Sequence, residues 1–254
     1  MKRSATIRAG IAGAAAATLA VLATGCTTYD TTTPADARKA TSSDAAVPAG
    51  QPDCRRLKCV ALTFDAGPSA NTPKLLQVLR AKHTHATFFM LGKNHVMKHP
   101  ETVRAMAAGG HELANHTWSH KILTKIPEAE ARREIERTEI AVQRITGTRP
   151  TLMRPPQGRT NQKVIDLCKK LGVSQVLWSV TAKDYATTDS ALIRKRVLEQ
   201  VKPNGIILLH DLYKGTVPAV PGILDDLHRR GYTVVTVGQL LAPAKPLPGT
   251  VYKP

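Results

Sequence analysis

Aromatic residues are scarce, with three Phe, two Trp and five Tyr in 254 residues. Acids are also few: 19 Asp and Glu stand against 36 Lys and Arg, a formal charge of +17. A chain this basic associates with polyanions through long-range attraction. Nucleic acid is not the polyanion indicated, because no stretch interleaves aromatic with basic residues and the charges are scattered. Wall polymers and anionic lipid heads fit better, and a generic soluble basic surface is the plain alternative. There are only four cysteines. Cys54 and Cys59, in PDCRRLKC, have no second Cys or His pair nearby, which excludes the usual zinc spacing. A local disulfide between them is expected in an exported chain, the alternative being two free thiols. Cys168, in VIDLCKKLG, reads as a small apolar residue on a helix. Long apolar runs and internal repeats are missing too. The run AGIAGAAAATLAVLATG, after the basic start MKRSATIR, is too short and too rich in Ala and Gly to span a bilayer.

That segment, residues 1–25, reads as a secretory signal. Its end, LATGC, resembles a bacterial lipobox with Cys26 as the lipidated residue, although Ala23 stands where Leu is usual and Leu22 sits one place early. The chain is therefore expected to be exported, as a lipoprotein on the outer face of the cell membrane or as a secreted protein. A diacyl anchor on Cys26 holds stably where a single acyl chain would not. Removing the leader takes away Lys2, Arg3 and Arg8 and leaves a charge of +14.

Residues 26–52 are rich in Thr, Ser, Ala and Pro and read as a flexible tether. From residue 53 to 242 short apolar runs alternate with amphipathic segments. Strands are expected at 59–64, 86–92, 111–116, 151–156, 174–180, 205–210 and 233–237. Helices are expected near 72–82, 100–108, 127–147, 161–171, 190–201 and 220–230; the third is the clearest, with Pro127 at its start and Gly147 at its end. Alternating strands and helices imply a parallel sheet, here a distorted (β/α) barrel of about seven strands. The Pro-rich tail 243–254 is expected to be irregular, and the chain to be monomeric.

Functional groups of parallel α/β barrels gather at the carboxyl ends of the strands. Asp65 follows the first strand, in VALTFDAGP. His116 ends the third, and HTWSH places His120 four residues on, one face of a helical turn and a spacing suited to chelating a Zn2+-like ion. Arg154 ends the fourth and is suited to hold Asp65 bidentately. Asp184 and Tyr185 follow the fifth. His210 ends the sixth, where Asp184 is available to hold its ring, so that it can act as a general acid. Each feature has a plainer reading: a buried ion pair for Asp65 and Arg154, two surface histidines on a capped turn, a satisfied core histidine at 210.

Together these residues resemble the polysaccharide deacetylases of carbohydrate esterase family 4, the nodulation-protein-B homology domain. The similarity covers about 58–242. TFDAGP stands for the family's TFDDGP, HTWSH for H-[ST]-x-x-H, RPPQG for R-x-P-[YF], TAKDY for D-x-x-D-W and LLH for L-x-H, in that order. The resemblance implies a divalent metal, usually Zn2+ or Co2+, and hydrolysis of N-acetyl groups on amino sugars or O-acetyl groups on xylan. It implies that Asp65 is the general base, that His116 and His120 bind the metal, that Arg154 positions Asp65, and that the Gln157 backbone N–H helps to stabilise the oxyanion. It further implies that Asp184 tunes His210, which protonates the leaving amine, and that Leu208 lines the acetyl pocket.

Three departures stand out. Ala66 occupies the third metal-ligand position and has no donor atom. Thr181 replaces the first acid of TAKDY, and Tyr185 replaces Trp, keeping an aromatic wall for a sugar groove. The leading expectation is a deacetylase acting on peptidoglycan or chitin oligomers, with acetylated xylan as another substrate. A carbohydrate-binding pseudoenzyme and a structural lipoprotein are the competing ones. Trp118 and Tyr213 are further candidates for stacking on sugar rings.

Overall fold

The computed structural model describes residues 29–41 and 45–254. The leader and Cys26 lie outside them. Among the described residues nine strands, all parallel, form one curled sheet: β1 Cys59–Asp65, β2 Thr87–Met90, β3 Glu112–Asn115, β4 Leu152–Met153, β5 Ser174–Val176, β6 Val180–Thr181, β7 Ile206–Leu209, β8 Thr233–Val235 and β9 Val251–Tyr252. The order is β6-β7-β1-β2-β3-β4-β5-β9, with β8 paired to the start of β1. Among the described residues β6 and β9 are the two ends of this ladder, so the barrel is curled but not closed by hydrogen bonds. All seven expected strands are present. The run 174–180 splits into β5 and the start of β6, and β9 comes from the tail.

α1 Pro34–Lys39 precedes β1, and the other helices lie between the strands: α2 Thr72–Ala81, α3 Pro100–Ala108, α4 Glu128–Thr146, α5 Gln162–Leu171, α6 Ser190–Gln200, α7 Thr216–Arg229 and α8 Val237–Leu241. α4 starts after Pro127 and ends on Gly147 at φ 78°, a left-handed position that Gly fills without a Cβ clash. α7 begins four residues before its expected start. Pro218 sits in its first turn, where amides are unpaired anyway, so only Pro221 costs the helix a bond.

The strands alternate between two layers. Val60, Leu62 and Phe64 of β1 pack outward with Leu75, Leu79, Ile223 and Leu227 of the helices. Cys59 and Ala61 face inward with Phe89, Ala114, Leu152, Val176 and Ile206. This two-residue period assigns Thr63 and Asp65 to the interior of the curl. The same parity carries Leu208 and His210 inward from Ile206, His116 from Ala114, and Arg154 from Leu152. Cys54 and Cys59 form the expected disulfide at the entrance to β1, and Cys168 is buried and free.

Two expectations are corrected. Residues 29–41 of the supposed tether are docked on the domain. Thr32 bridges to Tyr252, and Thr33 caps α1 by accepting from the Asp36 amide. Arg38 is buried, donating to Asn204 Oδ1 at 2.6 Å and to the Leu240 carbonyl. Polar composition misled here because the helix is fastened by one buried Arg side chain and a small apolar contact, Ala37, which joins the inner cluster beside Leu240 and Tyr252. The tail, in turn, supplies β9, whose Tyr252 is buried beside β5. Two extended residues suffice where an edge strand offers free backbone groups.

Candidate active site

Four strand ends meet at one rim. Asp65 closes β1 and is 2% exposed. Arg154, wholly buried just after β4, donates from Nη1 to Asp65 Oδ1 at 2.6 Å and to Thr63 Oγ1 at 2.8 Å. The bidentate contact expected from sequence is not made. The rest of the guanidinium is engaged by backbone, with Nε donating to the Val176 carbonyl at 3.0 Å and Nη2 to that of Leu177 at 3.5 Å. The Phe89 ring lies 4.0 Å below its carbon. A buried cation needs such partners on every side, and here they also fix the one oxygen of Asp65 that Arg154 touches.

His116 follows β3. Its Nδ1–H donates to the Arg154 carbonyl at 2.8 Å, which leaves Nε2 as the lone-pair nitrogen, 3.8 Å from Asp65 Oδ2. Burial pushes this imidazole down to about 4, so it is neutral at neutral pH. Its ring lies 4.9 Å from that of His120, between centroids. The two rings converge as expected, but not through a helical turn. Thr117 and His120 have φ of 74° and 65°, and the loop is held by side chains instead. Asn115 Oδ1 accepts from the Thr117 amide, and Glu134 of α4 accepts from the amide and hydroxyl of Ser119. Left-handed backbone at non-Gly residues is costly and concentrates at functional sites. Burial lowers His120 as well.

His210 leaves β7 beside Asp65. The register pairs Phe64 with Leu209, so the next residue of each strand stands side by side, about 5 Å apart at the backbone. Asp184 is buried and accepts three hydrogen bonds: from His210 Nδ1–H at 2.9 Å, the His210 amide at 2.7 Å and Thr216 Oγ1 at 2.8 Å. Burial works against a charged His210. The Asp184 hydrogen bond and charge, with Asp65 behind them, outweigh it, and the ring holds its proton above its ordinary range. Leu208 is buried two residues before His210, facing the same way. Tyr185 is exposed, edge-on to the His210 ring. Gln157 is exposed in the turn after β4 at φ 58°. Thr181, at the end of β6, is half-buried.

Sequence reading missed Asp211. It is fully buried, accepts a hydrogen bond from Thr72 Oγ1, and its carbonyl accepts from Asn71 Nδ2 at 3.1 Å. It thereby ties the loop after Asp65 to the strand end bearing His210. An acid straight after LLH in an otherwise apolar run was the available signal.

The donors for the expected divalent metal are two imidazoles and, across 3.8 Å, a carboxylate already bonded to Arg154. Ala66 turns at φ 64° and offers only a methyl. Among the described residues no group of three or more His, Cys, Asp and Glu is arranged to hold an ion. The side chains present therefore do not fit a three-ligand catalytic zinc site, and no chemical step below is routed through a metal.

The sequence model of polysaccharide deacetylase matches residues 53–176. The chain is 39% identical over 184 residues to the peptidoglycan-N-acetylmuramic acid deacetylase PdaC of Bacillus subtilis, covering 72% of this chain and 38% of that one. It is 35% identical over 204 residues to a chitooligosaccharide deacetylase of Bradyrhizobium sp., covering 74% and 93%. Among solved structures, a T48 deacetylase with substrate matches with a TM-score of 0.76 at 40% identity, over 79% of this chain and 99% of that one. The chain thus spans well under half the length of PdaC.

Proposed function

Because the chain belongs to the polysaccharide deacetylase family, we propose that it hydrolyses N-acetyl groups on amino sugars of peptidoglycan or chitin type. The observation that carries this reading is the pairing of Asp65 with Arg154 and of His210 with Asp184 at adjacent strand ends. Amide hydrolysis needs opposite proton transfers, one from the attacking water and one to the departing nitrogen. Asp65 takes the water proton, its orientation fixed by Arg154. His210, kept protonated by Asp184, delivers a proton to the amine, which cannot leave as an anion. The Gln157 N–H donates to the oxyanion between these steps, and Leu208 receives the acetyl methyl. Neutral His116 and His120 line the same mouth on the Asp65 side.

Export and a lipid anchor on Cys26 belong to this proposal, since they set a basic protein beside the anionic wall. The test is acetate release from N-acetylglucosamine oligomers and solubilised peptidoglycan. Asp65→Asn should lower kcat by about 10²–10⁴-fold, the worth of general-base catalysis, with the melting temperature showing that the fold survives. Wild-type rates in the variant, or no acetate from the wild type, refute the assignment. A second reading, a glycan-binding pseudoenzyme, is favoured by Ala66 alone, and the same assay decides it.

A further inference from the structure

Beside His210 the rim opens into a recess of about 500 Å3 that the proton-transfer pairs do not fill. Two tyrosines wall it. The Tyr185 and Tyr213 rings stand edge-on to the His210 imidazole at 6.2 and 5.4 Å between centroids. Tyr185 is 57% exposed, so its ring is held out to solvent, not packed in a core. Thr187 and Thr188 add hydroxyls, and Lys214 closes the side towards α7. The walls share their anchors with the site. Asp184, which holds His210, also accepts from Thr216 at the start of α7, and Ser190 of α6 donates to the Gly215 carbonyl at 2.8 Å.

The chemistry of this lining is specific. A recess of several hundred Å3 has room for one pyranose ring. Tyrosines present an apolar face to the sugar C–H groups and a hydroxyl at the edge. Lys214 makes no ion pair among the described residues. The two acids of the facing segment are committed elsewhere: Asp184 to His210, and Asp189 to the Ala191 and Leu192 amides at the start of α6. The recess is thus a sugar-sized slot with one free cation at its edge.

We propose that this recess binds the sugar next to the one that loses its acetyl group, and that Lys214 selects a neighbour bearing a carboxylate. An amino sugar with an acidic ether substituent, the muramic acid type, has that group; the neutral repeat of chitin does not. The inference rests on the deacetylase reading and deepens it, because it chooses between two substrates that reading leaves together.

The experiment compares kcat/KM for two tetrasaccharides of equal length: chitotetraose, and a peptidoglycan tetrasaccharide with free lactyl carboxylates. The wild type should favour the acidic one, and Lys214→Met should lower the ratio of the two values by about three- to tenfold, the scale of one partly screened ion pair. The loss should appear in KM more than in kcat. Amidating the carboxylates, or raising the salt to about 1 M, should lower the wild-type ratio in the same way. A ratio unmoved by Lys214→Met, or a wild type that prefers the amidated sugar, overturns the proposal. If the wild type releases acetate from neither sugar, the hydrolase reading fails separately. Calorimetric binding of the same two tetrasaccharides then decides the subsite: a preference lost in Lys214→Met keeps it, and equal binding ends it.

Discussion

Asp184→Asn is the substitution that most directly tests the proton-delivery half of the mechanism. Asp184 accepts from the His210 ring at one oxygen and from the His210 amide and Thr216 hydroxyl at the other. Asn keeps the shape but has one accepting oxygen. The backbone amide cannot change its role, so that oxygen stays with the amide and the hydroxyl, and the new NH2 faces Nδ1. The ring must then accept at Nδ1 and carry its hydrogen on Nε2, as a neutral imidazole. A neutral imidazole is far too weak an acid to protonate a departing amine. The lost interaction is a hydrogen bond to a charged group, worth about 1.5–3 kcal/mol, or roughly ten- to a hundredfold in rate where the imidazolium is required. The sign of the pH effect follows. Asp184 raises His210 against burial, so activity that needs the protonated ring is present below that raised value and is lost as pH rises through it. Removing Asp184 moves the alkaline limb of the kcat/KM profile to lower pH. The assay is acetate release from a chitooligosaccharide across roughly pH 5–9, with melting temperatures at each pH. An alkaline limb in Asp184→Asn that coincides with wild type, at rates within about twofold, would refute His210 as the acid.

Three further outcomes are expected. Ala66→Asp should tighten Co2+ or Zn2+ binding by on the order of a hundredfold, since four-ligand zinc sites bind with roughly 10–16 kcal/mol, about 3 kcal/mol per ligand; the left-handed backbone at φ 64° suits Asp better than Ala. Cobalt absorption titration reads this, and equal affinities in the two proteins would contradict the placement of residue 66. Gly67→Ala should cost about 1–3 kcal/mol and lower kcat, because the new methyl would lie 2.8 Å from Oδ1 of Asp211, a carboxylate that Thr72 holds through its other oxygen, Oδ2; unchanged melting and rate would show the loop to be slack. Burial pushes Asp211 up to about 6, so its contribution to stability is complete below the unfolded value near 3.8 and lost as pH rises through about 6. Denaturant titrations should therefore show the wild type losing about 2 kcal/mol between pH 4 and 7 relative to Asp211→Asn, and parallel curves would exclude a buried charge at this position.

The sequence carried the layout of the barrel further than the details of its rim. Strands such as CVALTF are apolar on both faces because helices cover one side and the curl encloses the other, and that pattern survives in the letters. β6, β9 and α1 did not, since each is defined by a neighbour. β6 exists because Val180 meets Ile207, β9 because β5 leaves an open edge, and α1 because Arg38 reaches Asn204 and Leu240. The rings of His116 and His120 meet, but by another route than the one their spacing suggested. Helical spacing suggested their approach, but a loop with two left-handed residues, braced by Asn115 and Glu134, brings the rings together. The brace from Glu134 to Ser119 joins residues 15 positions apart, which no local periodicity records.

Strand parity decides which residues reach the candidate site. Ala61, Thr63 and Asp65 share one face of β1, and Ile206, Leu208 and His210 share the matching face at β7. A slip of one residue in either strand would turn its acid or imidazole into the outer layer, among Leu75, Ile223 and Leu227, where a charged group has no partner and costs several kcal/mol, about what the domain can spare. Burial of the large outward residues Val60, Leu62 and Phe64 therefore fixes the register, and the register fixes which residue reaches the rim. Ala66 lies past the last such constraint. Its backbone is set by its amide donating to the Phe89 carbonyl and by the next carbonyl, that of Gly67, accepting from the Leu91 amide, neither of which involves its side chain. The side chain at position 66 can thus change without disturbing Asp65, Arg154 or His210, which is why Ala66→Asp tests metal affinity separately from the proton-transfer pairs.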